Sequence, residues 1–84
     1  MQNYPPTFNL VIASVSKTHF DGPALAATVP GSEGELTILP HHAALVTTLK
    51  KGTIAVRVMG GERHTFPIDN GVLECSHNSA IVLL

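Results

Sequence analysis

About every eight to twelve residues this chain meets a cluster of turn-forming residues, among them Pro30-Gly31, Gly60-Gly61, Asp69-Asn70-Gly71 and Ser76-His77-Asn78-Ser79. Between the clusters the side chains alternate. Phe8, Leu10 and Ile12 stand against Asn9, Val11 and Ala13; Leu45, Thr47 and Leu49 against Ala44, Val46 and Thr48; Ile54, Val56 and Val58 against Thr53, Ala55, Arg57 and Met59. A period of two places each set on one face of a strand, whereas a helix needs a repeat near 3.6 residues sustained over about three turns, which no segment shows. Turns at this spacing between alternating segments define an all-β domain, a sandwich or a barrel.

Residues 1–7 read as a flexible lead-in, because Pro5 and Pro6 favour extended backbone without ladder hydrogen bonds, and residues 8–84 as one β domain. After the first strand, Asp21-Gly22-Pro23 reads as a turn and residues 24–29 as a second strand. Their alanines suit a helix, but Thr28, Val29 and the bounding turns favour β structure. Pro30-Gly31 ends that run in a turn, since Pro sets φ near −65° and Gly tolerates φ > 0. Gly34 permits a second bend, and residues 35–39 form a short strand. Pro40 has no N–H to give a ladder, so it stops this strand and begins a loop at His41-His42. Strands then follow over residues 43–49 and 53–59. Gly60-Gly61 turns the chain back through residues 62–66, and two more strands cover 72–75 and 80–84.

Eighty-four residues allow one domain, and a chain of this size buries only about 60% of its unfolded surface, so partners are expected to complete it. Charged residues make up only 13% of the chain, about half the usual quarter, against 44% apolar residues, so low-charge faces must be exposed. Such faces suit burial against other subunits, with aggregation as the alternative. A net charge of −1 and scattered Lys and Arg residues disfavour nucleic acid. No apolar run approaches the roughly 18 residues of a membrane span, and the N-terminus lacks the basic and apolar regions of a signal peptide. The expected location is therefore cytoplasmic, with the membrane reached only through other proteins.

Each candidate chemistry meets an objection. In extended backbone Glu33 and Glu35 would point the same way ~6.6 Å apart, near the spacing of an inverting glycosidase's carboxylates. The aromatic residues that sugar sites use are nearly absent, however: there is no Trp, and the one Tyr, Tyr4, lies in the lead-in. The histidines at 19, 41, 42, 64 and 77 invite a metal, yet there is no HxH or HxxxH spacing, and adjacent His41 and His42 would point apart. No serine sits in a nucleophile elbow. Gly31-Ser32-Glu33-Gly34 is too short and too acidic to cradle phosphate. The single Cys75 excludes an internal disulfide and reads as a small apolar filler. The expected catalytic, metal and cofactor sites are none, and no small-molecule substrate is implied.

The run from Val29 to Leu45 has the form V-P-G-S-E-G-E-L-x-I-L-P-x-H-A-x-L. It resembles the signature stretch of the epsilon subunit of rotary, proton-translocating ATP synthases, called delta in mitochondria. Phe20-Asp21-Gly22 is similar to that family's F-x-G turn, residues 51–57 to its K-P-G turn and strand, and Asp69-Asn70-Gly71-Val72-Leu73-Glu74 to its x-G-G-[IV]-L-E segment. The likeness covers about residues 8–84, in order and nearly without gaps. It implies a β-sandwich of two roughly five-stranded sheets, about ten short strands in all. It also implies a non-catalytic place in the central stalk, between the gamma subunit and the polar loops of the c-ring. The helical C-terminal pair usual in the family is not expected within these residues.

Carried over by position, Ser32, Glu33, Glu35, His41 and His42 are the expected contacts with the c-ring. His41 stands where the family usually has Gly, and Ala44 where it usually has Pro. A free-standing β-sandwich ligand-binding or adaptor domain is the alternative, and a small hydrolase using the two glutamates a third.

Overall fold

The alternation near the start of the chain forms β1, Phe8–Ser14, which buries Phe8, Leu10 and Ile12. The computed structural model describes residues 5–84; residues 1–4 of the expected lead-in lie outside them. The further strands are β2 Lys17–Ala24, β3 Ala26–Gly31, β4 Gly34–Ile38, β5 Leu45–Leu49, β6 Gly52–Arg57, β7 Arg63–Ile68, β8 Gly71–Ser76 and β9 Ser79–Leu83. The domain is thus all-β, with nine strands rather than about ten and no helix among the described residues.

Hydrogen-bonded neighbours follow the order β2-β1-β9-β8-β5-β3-β6-β7, with β4 on β3. Strands β1 and β9 run parallel, and the other pairs are antiparallel. The path has one thin place, where β3 and β5 share a single rung, Gly31 opposite Leu49. Beside it the Ser32 N–H donates to the Thr48 carbonyl and the Lys50 N–H to the Pro30 carbonyl, both at 2.9 Å. Two halves result, a five-stranded β2-β1-β9-β8-β5 and a four-stranded β4-β3-β6-β7. Instead of two separate sheets, they are one curled sheet joined at that rung.

Both halves contribute to one core. Phe8, Leu10, Ile12, Leu49, Leu73, Cys75, Ala80 and Val82 come from the first, and Ala27, Val29, Ile38, Ile54, Val56 and Ile68 from the second. No polar or charged side chain is buried among the described residues. The core is therefore held by apolar burial, roughly 1.5–3 kcal/mol for each fully buried side chain such as Leu10, Ile12 or Ile54. Burial also raises the Cys75 thiol above its ordinary pKa, as befits an inert filler.

Two turns fall elsewhere than expected. Asp21-Gly22-Pro23 lies inside β2, paired with Val11, Leu10 and Asn9. As the edge strand next to β1 alone, β2 needs ladder bonds on one side only, and that is where Pro is tolerated. His19 is the extra residue of a bulge between the Ile12–Phe20 and Ala13–Thr18 pairs. Pro30 and Gly31 are likewise strand residues, opposite Glu35 and Gly34, so the turn is Ser32-Glu33. The ladder between β3 and β6 ends at Thr28, so Pro30 withholds no N–H from it. Elsewhere the turn chemistry is as read: Gly60 and Gly61 have φ of 92° and 87° at the tip joining β6 to β7.

Candidate partner interface

The expected contact residues lie at the two ends of β4, Ser32, Glu33, His41 and His42 in the loops that flank it and Glu35 on the strand itself rather than in a loop. At one end Ser32 and Glu33 form the two-residue turn closed by the Gly31–Gly34 pair, and Glu35 follows on β4. Gly31 is fitted to this turn, because a Cβ there would stand 2.5 Å from the Gly34 carbonyl oxygen. The Thr48 hydroxyl donates to the Ser32 hydroxyl at 2.9 Å and holds the turn against β5. Glu33 and Glu35 are exposed and, with Leu36, Leu45 and Thr47, line an open cleft of about 210 Å³. The parallel-carboxylate geometry fails here, since Glu33 sits in the turn and not in extended strand.

Beyond the far end of β4, about 13 Å of extended backbone away, lies the second loop. His41 has φ 63°, in the left-handed region that favours glycine, which is the physical sense of the Gly usual at this position in the resembling family. The His42 N–H donates to the Leu39 carbonyl at 3.2 Å. The His42 ring nitrogen Nδ1 lies 2.8 Å from the Ala43 carbonyl oxygen. A carbonyl only accepts, so Nδ1 carries the proton and Nε2 is the acceptor when the ring is neutral. His41 is exposed and His42 half-buried, and both belong to a turn, not to the extended segment that would have pointed them apart.

The other histidines have structural occupations. His19 lies 3.3 Å from the Ser14 hydroxyl. His64 packs edge-on against Phe20 at 5.8 Å and lies 3.6 Å from Glu62. His77 forms half of the turn from β8 to β9. No three His, Cys, Asp or Glu side chains converge among the described residues.

One residue that the sequence marked only as part of a turn proves central to the second loop. The Asn78 Oδ1 accepts the His41 N–H at 2.8 Å, and its Nδ2 donates to the Thr7 carbonyl at 2.9 Å. The available signal was Asn in a two-residue turn between strands, which predicts backbone geometry and not these distant partners.

The low-charge surface expected from composition is concentrated on the outer face of β9, β8 and β5. Val46, Val72, Ile81 and Leu83 are exposed there. Val72 is opposite Leu83, and Glu74, paired with both Ile81 and Val46, is the charge among them. On the outer face of the other half, Arg57 and Arg63 are opposite each other beside a shallow groove floored by Ala26, Thr28 and Ala55.

The described residues thus form an all-β domain of one curled sheet, with an apolar outer face and two polar loops beside β4. The chain belongs to the family described as ATP synthase, Delta/Epsilon chain, beta-sandwich domain, which it matches over residues 7–84. Its fold is similar to that of a chain in the Euglena gracilis mitochondrial ATP synthase, from a structure of OSCP, F1 and c-ring in rotational state 1. The TM-score is 0.87 at 23% identity, covering 98% of this chain and 52% of that one. It is also similar to a chain of the Tetrahymena thermophila mitochondrial ATP synthase central stalk and c-ring, with TM-score 0.73, 19% identity, and 89% and 60% coverage. This chain thus spans between half and two thirds of the length of those two chains.

Proposed function

We propose that this domain is a non-catalytic part of the ATP synthase rotor, set between the gamma subunit and the c-ring, where it helps couple ion translocation to ATP synthesis. The observation that carries the reading is the family match along nearly the whole chain. The apolar outer face of β9, β8 and β5 supports it, being suited to burial against a subunit and assigned here to gamma. Ser32, Glu33, Glu35, His41 and His42 contact the polar loops of the c-ring, with the exposed side of β4 lying along the ring so that both flanking loops reach it. The domain takes no cofactor or small-molecule substrate. It sits on the cytoplasmic face of a bacterial inner membrane or its equivalent, held there by the ring.

The placement of the two loops at opposite ends of β4 favours a second arrangement, in which the Glu33 loop meets the ring and the His41-His42 loop meets gamma. Crosslinking within the assembled synthase separates the two. In a Cys75→Ala background, Glu35→Cys should link to subunit c. Links from His42→Cys to subunit c support the first arrangement, and links to gamma the second. Links from both positions to the alpha or beta subunits would overturn the site, and failure of the chain to co-purify with gamma and the ring would overturn the function.

A further inference from the structure

We infer that Asn78 is the positioning residue of the His41-His42 loop, fixing through its side-chain amide the shape that the loop presents to its partner. Among the described residues three other than glycine are left-handed, His41, His77 and Asn78, and two of them are hydrogen-bonded to each other. His77 and Asn78, with φ of 51° and 58°, join Ser76 to Ser79 as a two-residue hairpin of type I′. Glycine at position 78 would serve that turn equally well. What asparagine adds is the carboxamide.

Its two ends have different and fixed partners. The His41 N–H can only donate and the Thr7 carbonyl can only accept, so the contacts at 2.8 and 2.9 Å define which way the amide points. The side chain thereby joins the turn between β8 and β9, the loop after β4 and the approach to β1. The Asn78 carbonyl adds a bond from the Asn9 N–H at 3.2 Å. The loop has little else to hold it. Pro40 lacks an N–H, and the His42 bonds to Leu39 and Ala43 are local. Among the described residues, the bond to Asn78 is the only hydrogen bond tying residues 40–44 to a distant part of the chain. The contact with Thr7 is part-buried, which keeps water from replacing it freely and so anchors the amide, whereas the contact with His41 is exposed.

The reading of this loop as a contact surface belongs to the proposed function, and the test keeps the two apart. Asn78→Gly retains the hairpin and removes both amide bonds, whereas Asn78→Asp retains the acceptor for His41 and loses the donor to Thr7. In the purified chain, hydrogen exchange at the His41 amide should accelerate roughly tenfold in the Gly variant and stay near its original rate in the Asp variant. The amides of Leu73 and Val82 should be unchanged in both. In the assembled synthase, Asn78→Gly should lower crosslinking from His42→Cys several-fold while leaving that from Glu35→Cys intact. Unaltered exchange at His41 in the Gly variant, or equal acceleration across β8 and β9, would overturn the positioning role. If exchange responds as expected but position 42 crosslinks to nothing even with Asn78 present, the positioning role stands and the loop's contact role falls.

Discussion

Gly31 and Leu49 are the single paired rung between the two halves of the sheet, with the Ser32–Thr48 and Lys50–Pro30 hydrogen bonds on either side of it, and position 31 has no room for a side chain. A methyl there would meet the Gly34 carbonyl oxygen at 2.5 Å and the Leu36 side chain at 3.3 Å, and the first of these is backbone that cannot turn aside. Gly31→Ala should therefore destabilise the domain by about 1–3 kcal/mol. At roughly 4–8 °C per kcal/mol for a domain of this size, the loss is readable in a thermal melt. Gly22 is the control, since a Cβ there meets nothing within 4 Å and its φ lies outside the left-handed region. Gly22→Ala should change stability by no more than about 1 kcal/mol, in either direction. Equal effects of the two substitutions would show that the joint is not tightly fitted.

How much of this was legible depends on the range of the interaction. Alternation at Phe8, Leu10 and Ile12, and the paired glycines 60 and 61, report local geometry, and both appear as read. Residues 17–24 escaped because Asp21-Gly22-Pro23 carries every local mark of a turn. Only the position of β2 at the sheet edge, a tertiary fact, makes those residues acceptable in a strand. Pro30-Gly31 misled similarly, because the end of the ladder with β6 at Thr28 is invisible in the residues themselves. The two loops beside β4 were legible as exposed loops. That they lie at its opposite ends follows from the strand between them, but the bonds from Asn78 to Thr7 and His41 cross 71 and 37 residues and leave no local trace.

His41 tests the cost of the left-handed backbone directly. For an L-residue that conformation costs about 1–2 kcal/mol, against roughly 0.5–1 kcal/mol of added chain entropy for glycine. His41→Gly should therefore stabilise the domain by about 0.5–1 kcal/mol. The backbone N–H that bonds Asn78 is retained in the variant. His41→Val should move stability the other way, β-branched residues being least suited to φ of 63°. Urea denaturation of the pair checks the sign, and a destabilising glycine would mean that the imidazole makes contacts outweighing the strain.

Cys75 carries a pH prediction. Desolvation raises its pKa in the folded chain, so above the ordinary thiol range, about pH 8.5, the unfolded state loses its proton first. The folded state then binds more protons, and stability falls as pH rises. The contribution is complete below that range and is lost between the unfolded and folded pKa values. Denaturation midpoints measured from pH 7 to 10 should decline less in Cys75→Ala once its pH-independent cavity cost is subtracted. The native thiol should also resist a water-soluble thiol reagent at pH 8 until the chain is unfolded. Rapid labelling of the native chain would contradict the burial.

The apolar outer face yields the prediction that best separates folding from assembly. Val46 and Leu83 are 67% and 57% exposed, so exchanging them for lysine removes little from the core. Lysine at position 46 would face Glu74 across the ladder, a favourable pairing on an exposed strand. Val46→Lys and Leu83→Lys should therefore each leave the melting of the isolated chain within about 0.5 kcal/mol of the original. If this face is covered by gamma, each lysine must be desolvated against a protein surface, and a loss of 2 kcal/mol or more, roughly thirtyfold in affinity, is expected at a central position. The measurement is titration of gamma with the original and substituted chains at one fixed salt concentration. Unchanged affinity in both variants would move the gamma contact off this face, and the groove beside Arg57 and Arg63 on the other half would be the next surface to test with charge reversals.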